Sequence, residues 1–171
     1  EMKAAGQDVI SLSIGEPDWG TYECIKTAAI ESIKKGQTKY TPPAGIPELR
    51  RAVAAQATED YGMPFAFDEV TVSGGAKFVL FAALQALVNP GDEVILVAPF
   101  WASYTTMVEL ADGKPRIAVC DETSDFKLTP ALLERTITPK TKVLLVISPS
   151  NPTGKIYTRE ELKALAEVLR K

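Results

Sequence analysis

The stretch "KVLLVISPSNPTG", residues 142–154, joins an apolar run to a cluster of turn-forming residues. An apolar run without polar alternation is typical of a strand that is covered on both faces of a sheet. Pro149 and Pro152 cannot extend that strand, and each disfavours the helical region for the residue before it. The pattern therefore predicts that Asn151 is held rigidly at a strand end, although an Asn-Pro turn of purely structural purpose has the same composition.

The rest of the chain alternates between segments with strand character and segments with helix character. Strands are predicted at 8–15, 69–75, 94–99, 114–121 and 142–148. Helices are predicted at 22–35, 46–62, 76–88, 101–111, 129–137 and 158–171. The helix at 76–88 is apolar on nearly every side and is predicted to be buried. Such alternation predicts an α/β fold with a mostly parallel sheet, whose ligands bind outside the carboxyl ends of the strands.

Composition excludes several classes of function. The 171 residues carry a net charge of -3 with acids and bases interspersed, so nothing argues for nucleic acid or an anionic membrane as partner. No apolar run approaches the roughly 18 residues that a membrane span needs. The chain contains no histidine, so acid–base chemistry must use Lys, Asp, Glu or Tyr, and no metal site is expected. Cys24 and Cys120 lack metal spacing and are predicted to be buried free thiols, which fits a reducing cytoplasm.

Three further strand ends carry candidate ligand groups. In "SGGAK" (73–77), Gly74 and Gly75 could free the first amides of a helix to hold a phosphate, but they equally suit a tight turn without a ligand. Trp101 could stack on a planar ring, although a tryptophan at this position is by itself more typical of a core. Gly15 could bring its backbone close to a substrate or could simply form a turn.

Taken together, these motifs resemble the pyridoxal-phosphate-dependent aminotransferases of fold type I, in the class I branch that includes aspartate aminotransferase. The resemblance rests on five segments in the family's order: "LSIGEPDW" (12–19), "TKYTPPAGIPELRRAVA" (38–54), "VTVSGGAK" (70–77), "NPGDEVILVAPFWASY" (89–104) and "ITPKTKVLLVISPSNPTG" (137–154). It implies an incomplete three-layer αβα fold. Residues 1–40 would belong partly to the small domain and the dimer interface, and residues 41–171 would form the first part of the large cofactor-binding domain.

The resemblance also implies roles in binding pyridoxal 5'-phosphate. The family's glycine-rich turn binds the cofactor phosphate through backbone amides, which falls on Gly75, Ala76 and Lys77. Its aromatic residue after the "P-[YF]" pair stacks on the pyridine ring, which falls on Trp101. The asparagine of "NPTG", here Asn151, would hydrogen-bond the cofactor's 3-oxygen.

One implied contact crosses a subunit boundary. In the family, the tyrosine of the "KY-P-G" loop reaches the cofactor phosphate of the partner subunit. That tyrosine is Tyr40 in this chain, so the resemblance implies a homodimer.

The implied substrates are an amino acid and a 2-oxo acid. Gly15, Trp101 and Asn151 would contact the substrate, and Lys77, assisted by Ser13, would face its side-chain carboxylate. This favours aspartate as amino donor and 2-oxoglutarate as acceptor. A Lys77 that serves only the phosphate or the surface is the alternative.

The chain lacks the family's Schiff-base lysine segment of type "S-x-S-K" and its "D-E-x-Y" segment. Lys77 lies in the phosphate turn and cannot replace that lysine, so no catalytic residue is expected here. We expect the chain to be part of a longer enzyme rather than a true fragment. The alternatives are an aminotransferase for aromatic or other amino acids, a carbon–sulfur lyase, and the ligand-sensing domain of a transcription regulator. The regulator would need a basic DNA-binding module, which "EMKAAGQDV" does not show.

Overall fold

The structure is a computed structural model that describes residues 2–10 and 15–171. Its helices are α1 (Glu23–Lys34), α2 (Pro47–Tyr61), α3 (Ala76–Leu87), α4 (Ser103–Leu110), α5 (Pro130–Thr136) and α6 (Arg159–Leu169). Its strands are β1 (Glu93–Ala98), β2 (Lys114–Val119) and β3 (Thr141–Leu145), and single 3-10 turns lie at Phe67–Glu69 and Glu122–Ser124. Within the described ranges, no helix has the length and apolar character that a bilayer crossing requires.

The three strands form one parallel sheet in the order β2-β1-β3. Successive residues of the central strand point to opposite faces, because side chains alternate along a strand. Val94 and Leu96 pack in one apolar cluster with residues of α3 and α4. Ile95 packs in a second cluster with Leu133 of α5 and Leu165 of α6. The predicted three-layer αβα arrangement is therefore confirmed.

Two helices begin where local sequence signals predict. Thr129 caps α5, accepting a hydrogen bond from the Leu132 amide at 3.2 Å. At the start of α6, the Glu161 amide donates to Thr158 Oγ1 over 3.2 Å, and the Thr158 amide donates to Glu161 Oε2 over 2.7 Å. This reciprocal pair is the capping box that the spacing of Thr158 and Glu161 predicts.

Two predicted strands are not confirmed. Residues 70–73 are irregular rather than part of a strand, because a strand needs a neighbouring strand to complete its hydrogen bonds. In the described chain this segment is held instead by a loop: the Val72 amide donates to the Ala44 carbonyl at 2.9 Å, and a Cβ on Gly45 would lie 2.8 Å from Val72 Cβ. In the other predicted strand, residues 8–10 are irregular and residues 11–14 lie outside the described part.

Two predictions of burial are wrong. Helix α3 was expected to be covered on all sides, but Phe78 is 57% exposed and Leu84 is the residue of α3 that is fully buried. Cys24 is exposed, whereas Cys120 is a buried free thiol as predicted. Apolar composition marks a surface as suited to burial, but burial also requires an element that covers it. The described chain packs α3 against α4 and the sheet, and it leaves the rest of the helix exposed.

Candidate functional site

The carboxyl ends of β1 and β3 lie side by side, because the two strands are parallel neighbours. Strand β1 continues into Pro99 and Phe100, and β3 leads to Ser150 and Asn151. Residues of both strand ends line one small cavity. The structure thus places Asn151 against the residues that follow the central strand.

Backbone hydrogen bonds fix the shape of the loop that carries Asn151. The Ser150 amide donates to the Lys155 carbonyl over 2.8 Å, and the Gly154 amide donates to the Ser150 carbonyl over 2.7 Å. Gly154 has φ 70°, a left-handed conformation that favours glycine. Asn151 itself is exposed, so the loop presents its amide at the sheet edge while its backbone is tied on either side.

Trp101 follows the end of β1 in sequence and contacts Lys77 in the first turn of α3. Its indole packs edge-on against Tyr104 with ring centroids 5.5 Å apart, and it is half-buried against the core cluster. The ammonium of Lys77 lies 4.8 Å from the centroid of the Trp101 ring, within cation–π range. Trp101 therefore both packs against the core and lies beside Lys77, a candidate ligand group.

The first turn of α3 offers hydrogen-bond donors. Gly75, with φ 109°, is the N-cap and supplies no side-chain cap. Its own amide donates to the Ser73 carbonyl over 2.8 Å, and the first bond into the helix runs from Val79 to Gly75 at 3.2 Å. The amides of Ala76 and Lys77 precede that bond and so have no helical acceptor. These donors, the helix dipole and the Lys77 ammonium together suit an anion such as a phosphate.

The structure places the Lys77 ammonium over the Trp101 ring, and it places Asn151 on a cavity whose lining includes Tyr104, the ring against which Trp101 packs. Two predicted site residues lie apart from these. Tyr40 has a relative accessibility of 107%, so its ring contacts none of the described site residues. Gly15 is exposed, and a Cβ placed on it would have nothing within 4 Å. Ser13 lies outside the described residues.

The small cavity that Asn151 lines is also lined by aromatic residues that the sequence analysis did not single out, among them Tyr104, Phe126 and Tyr157. Burial raises the pKa of Tyr104 above its ordinary value. Tyr104 follows Trp101 by three residues within the helix predicted at 101–111, and such spacing places two side chains on one face, so this signal could have found it. In the structure α4 begins only at Ser103, and the Tyr104 amide donates to the Trp101 carbonyl over 3.0 Å. Phe126 has φ 55°, a conformation that no sequence pattern at this position predicts.

A candidate site at the carboxyl edge of a parallel sheet, flanked by a helix start that suits an anion, is typical of a class: the three-layer α/β proteins that bind small molecules outside their strand ends. Within that class, the chain belongs to the family "Aminotransferase class I and II", whose model matches residues 7–171. The family resemblance in the sequence is thereby confirmed.

Individual relatives support the same placement. A "Probable aspartate/prephenate aminotransferase" of Rhizobium leguminosarum bv. phaseoli is 50% identical over 171 residues, which cover 100% of this chain and 43% of that protein. An "Aspartate aminotransferase" of Geobacillus stearothermophilus is 48% identical over 168 residues, which cover 98% of this chain and 43% of that protein. The chain thus spans less than half the length of these relatives.

Solved structures agree on the fold. The crystal structure of the aspartate aminotransferase of Rhizobium meliloti matches with a TM-score of 0.93 at 45% identity, over 98% of this chain and 42% of that one. The aspartate aminotransferase of Thermus thermophilus with maleate matches with a TM-score of 0.94 at 43% identity, over 99% of this chain and 44% of that one.

Proposed function

We propose that this chain is part of a pyridoxal-phosphate-dependent aminotransferase that moves an amino group from aspartate to a 2-oxo acid, with 2-oxoglutarate as the expected acceptor. One observation carries the proposal: the Lys77 ammonium lies over the Trp101 ring beside an uncapped helix start, while Asn151 lines a cavity with the residues after β1. Family membership and relatives named for aspartate support it.

The residues at the sheet edge fit the chemical parts of pyridoxal phosphate. The amides of Ala76 and Lys77 suit the phosphate, and the indole of Trp101 suits the flat ring. Asn151 offers a neutral amide donor for the 3-oxygen. Gly75 has open space where a Cβ would stand, so it allows a ligand to approach the turn closely. When bound, pyridoxal phosphate supplies an electron-withdrawing ring that stabilises negative charge at the substrate Cα.

We propose that Lys77 selects a dicarboxylic substrate. Its ammonium is positioned by the Trp101 ring and lines an open groove of about 560 Å³ between α3 and α4. A cation in that position attracts the side-chain carboxylate of aspartate, and Ser13, Gly15, Trp101 and Asn151 would complete the substrate contacts. The Thermus thermophilus relative was solved with maleate, which is also a dicarboxylate. We assign no proton-transfer or covalent role to a lysine of this chain.

The dimer contact is a proposal of the same kind. We propose that Tyr40, fully exposed here, donates to the cofactor phosphate held by a partner subunit. Residues 1–40 would then contribute to the small domain and the subunit interface, and residues 41–171 to the cofactor-binding domain. A cytoplasmic location is proposed because both cysteines are free thiols.

The names of several relatives indicate prephenate as a second candidate for the amino acceptor. Several are called aspartate/prephenate aminotransferases, including the Cereibacter sphaeroides protein, 52% identical over 169 residues. Prephenate is also a 2-oxo acid with a second carboxylate, which the same Lys77 would attract. Turnover with prephenate in place of 2-oxoglutarate would distinguish the two acceptors.

The longer enzyme that contains this chain tests the activity directly. After loading with pyridoxal phosphate, its visible absorbance should shift when aspartate is added and return when 2-oxoglutarate follows. Failure of every amino acid to shift the absorbance would contradict the aminotransferase function.

Substrate choice can be tested on the same enzyme with Lys77→Met. Loss of one charge-assisted hydrogen bond should raise KM for aspartate about tenfold or more, with a smaller effect on an apolar amino acid. Lys140→Met, at the amino end of β3, is the matched control. Equal losses on aspartate and on the apolar amino acid would exclude a role of Lys77 in selecting the dicarboxylate.

The role of Asn151 is tested by Asn151→Ala. Since a hydrogen-bond donor stabilises an anionic oxygen, the variant should shift the pH midpoint of the cofactor absorbance upward. Its unfolding midpoint in urea should match that of the parent. Wholesale unfolding would instead show that Asn151 serves only the turn.

A further inference from the structure

Residues 125–128, which we call the brace, connect a separate loop to the segment that carries Asn151. Asp125 forms an ion pair with Lys155, and Phe126 lines the cavity that Asn151 also lines. Lys127 pairs with a glutamate of α6, and the Leu128 amide donates to the buried Tyr157 hydroxyl over 2.7 Å. Asp125, Lys127 and Leu128 thus contact the chain that follows β3, and Phe126 shares a cavity with it.

The brace has a fixed backbone of its own. The Phe126 amide donates to the Asp121 carbonyl over 2.8 Å, and the Asp125 amide donates to the Glu122 carbonyl over 3.1 Å. Asp125 and Phe126 have φ values of 53° and 55°, in the left-handed region that bulky side chains rarely adopt. Such conformations persist where surrounding contacts hold them, and they cluster at functional sites.

A short path of contacts joins Asp125 to Asn151. The side chain of Lys155 pairs with Asp125, and the ion pair holds the pKa of Asp125 below its usual range. The carbonyl of the same Lys155 accepts the Ser150 amide at 2.8 Å, and Ser150 directly precedes Asn151. Restraining Lys155 therefore restrains the backbone from which the Asn151 side chain projects.

We propose that Asp125 and Phe126 are positioning residues for Asn151: the ion pair restrains its loop, and the phenyl ring fills the space beside it. The Asp125 and Lys155 side chains are 59% and 38% exposed, and ion pairs this accessible add little to overall stability. Their effect is therefore local to the loop. The direction in which Asn151 must point depends on the cofactor-binding function proposed above.

Hydrogen exchange on the cofactor-free, full-length enzyme tests the restraint without any ligand. In Asp125→Asn and Lys155→Met, the amides of Ser150 and Gly154 should exchange roughly two- to fivefold faster, and the difference should shrink in high salt. The charge swap that combines Asp125→Lys with Lys155→Asp should restore part of the protection.

Glu134→Gln is the matched control, because it breaks another exposed ion pair, with Lys171, away from the loop. It should leave exchange at Ser150 and Gly154 unchanged. Unchanged exchange in both brace variants would overturn the proposal. So would faster exchange spread evenly over the chain with a lower unfolding midpoint, since that pattern indicates a merely structural role.

The cofactor-loaded enzyme supplies an independent readout. In Asp125→Asn and in Phe126→Leu, which keeps an apolar side chain, the pH midpoint of the cofactor absorbance should move upward, as in Asn151→Ala but less far. If the parent enzyme binds no pyridoxal phosphate, the proposed function fails, while the exchange measurement still decides whether the brace restrains the loop. A normal parent spectrum with unshifted variants overturns the positioning role alone.

Discussion

Burial of apolar side chains differs between two regions of this chain, residues 93–169 and residues 23–61. In the first region, Val94, Ile95 and Leu96 are completely buried between two layers of helices. In the second, none of the 12 residues of α1 is buried, and α2 buries Ala54 alone. Both regions contain regular helices, so helix formation and helix burial are separate outcomes in this protein.

The difference separates the proposed site residues as well. Trp101 and Asn151 follow strands of the packed region. Trp101 packs against Tyr104 and Lys77, and backbone hydrogen bonds of Ser150 and Gly154 hold the loop that carries Asn151. Tyr40 belongs to the exposed region and contacts none of the described site residues. The candidate site residues on the sheet are therefore held by this chain, whereas Tyr40 in the exposed region makes no contact that would hold it.

The sharpest test of the contrast truncates one apolar side chain in each region. Leu133 of α5 is fully buried, so Leu133→Ala should lower the free energy of unfolding by about 2–5 kcal/mol. Ile33 of α1 is 65% exposed, and Ile33→Ala should stay within about 0.5 kcal/mol. Urea unfolding of the purified protein measures both. Equal losses would mean that α1 is packed as tightly as the sheet layers.

A pair of glycine substitutions makes the same comparison through added volume. A Cβ on Gly113 would lie 2.7 Å from Val88 Cγ1 and 3.2 Å from the Val108 carbonyl oxygen. Gly113→Ala should therefore cost about 1–3 kcal/mol of stability. Gly20, which lies just before the exposed region, has nothing within 4 Å of its Cβ position, so Gly20→Ala should be neutral or slightly stabilising. If Gly113→Ala left the free energy of unfolding unchanged, the packed region would accommodate an added methyl group, contrary to the prediction.

Tyr157, one of two buried tyrosines of the packed region, gives a prediction on pH. Tyr157→Phe removes the acceptor of the buried Leu128 amide and should cost roughly 1–3 kcal/mol. Burial raises the pKa of Tyr157, so the folded parent binds this proton more tightly than the unfolded chain does. Stability should fall as pH rises past the usual tyrosine pKa of about 10, and less steeply in the variant.

Unfolding free energies measured between neutral and alkaline pH check this slope. Tyr61→Phe, on an exposed ring of α2, is the control and should change neither stability nor slope. If the free energy of unfolding fell more steeply with rising pH in Tyr157→Phe than in the parent, this would contradict the burial of the phenol.

The smallest effect concerns the helix starts. Thr158 caps α6 through its hydroxyl, so Thr158→Ala should cost about 1 kcal/mol. Tyr22 occupies the equivalent position of α1 and makes no side-chain cap, so Tyr22→Ala should cost less. Thermal melts of both variants, read by circular dichroism, compare them, and a larger loss in Tyr22→Ala would contradict the difference between the two regions.

Sequence patterns predicted most of the packed region. Three predicted strands form with ends that differ from the prediction by at most three residues, namely those at 94–99, 114–121 and 142–148. Thr158 and Glu161 form the predicted capping box. The strand at 69–75 was predicted wrongly, because its β-rich composition does not reveal whether a neighbouring strand is present. The same reason explains why the prediction that α3 is buried was wrong: in the described chain no neighbouring element packs against much of its apolar surface.

The candidate site shows the same division. Glycines, prolines and an aromatic residue after strands pointed to Lys77, Trp101 and Asn151, because parallel strands bring their carboxyl ends to one edge. No pattern pointed to the brace, since the contacts of Asp125 and Phe126 join residues about 25 to 30 positions apart in sequence. Their left-handed backbone is held by neighbours that only the folded chain supplies.

The sequence by itself determined the family, the order of helices and strands from α3 onwards, and which residue types follow each strand. These properties depend on local periodicity, capping and turn chemistry, which act over a few neighbouring residues. The tertiary structure alone decided that Lys77 lies over Trp101, that Asp125 pairs with Lys155, and that α1 and much of α3 are exposed. These features depend on contacts between distant segments, and such contacts exist only once the sheet has brought the segments together.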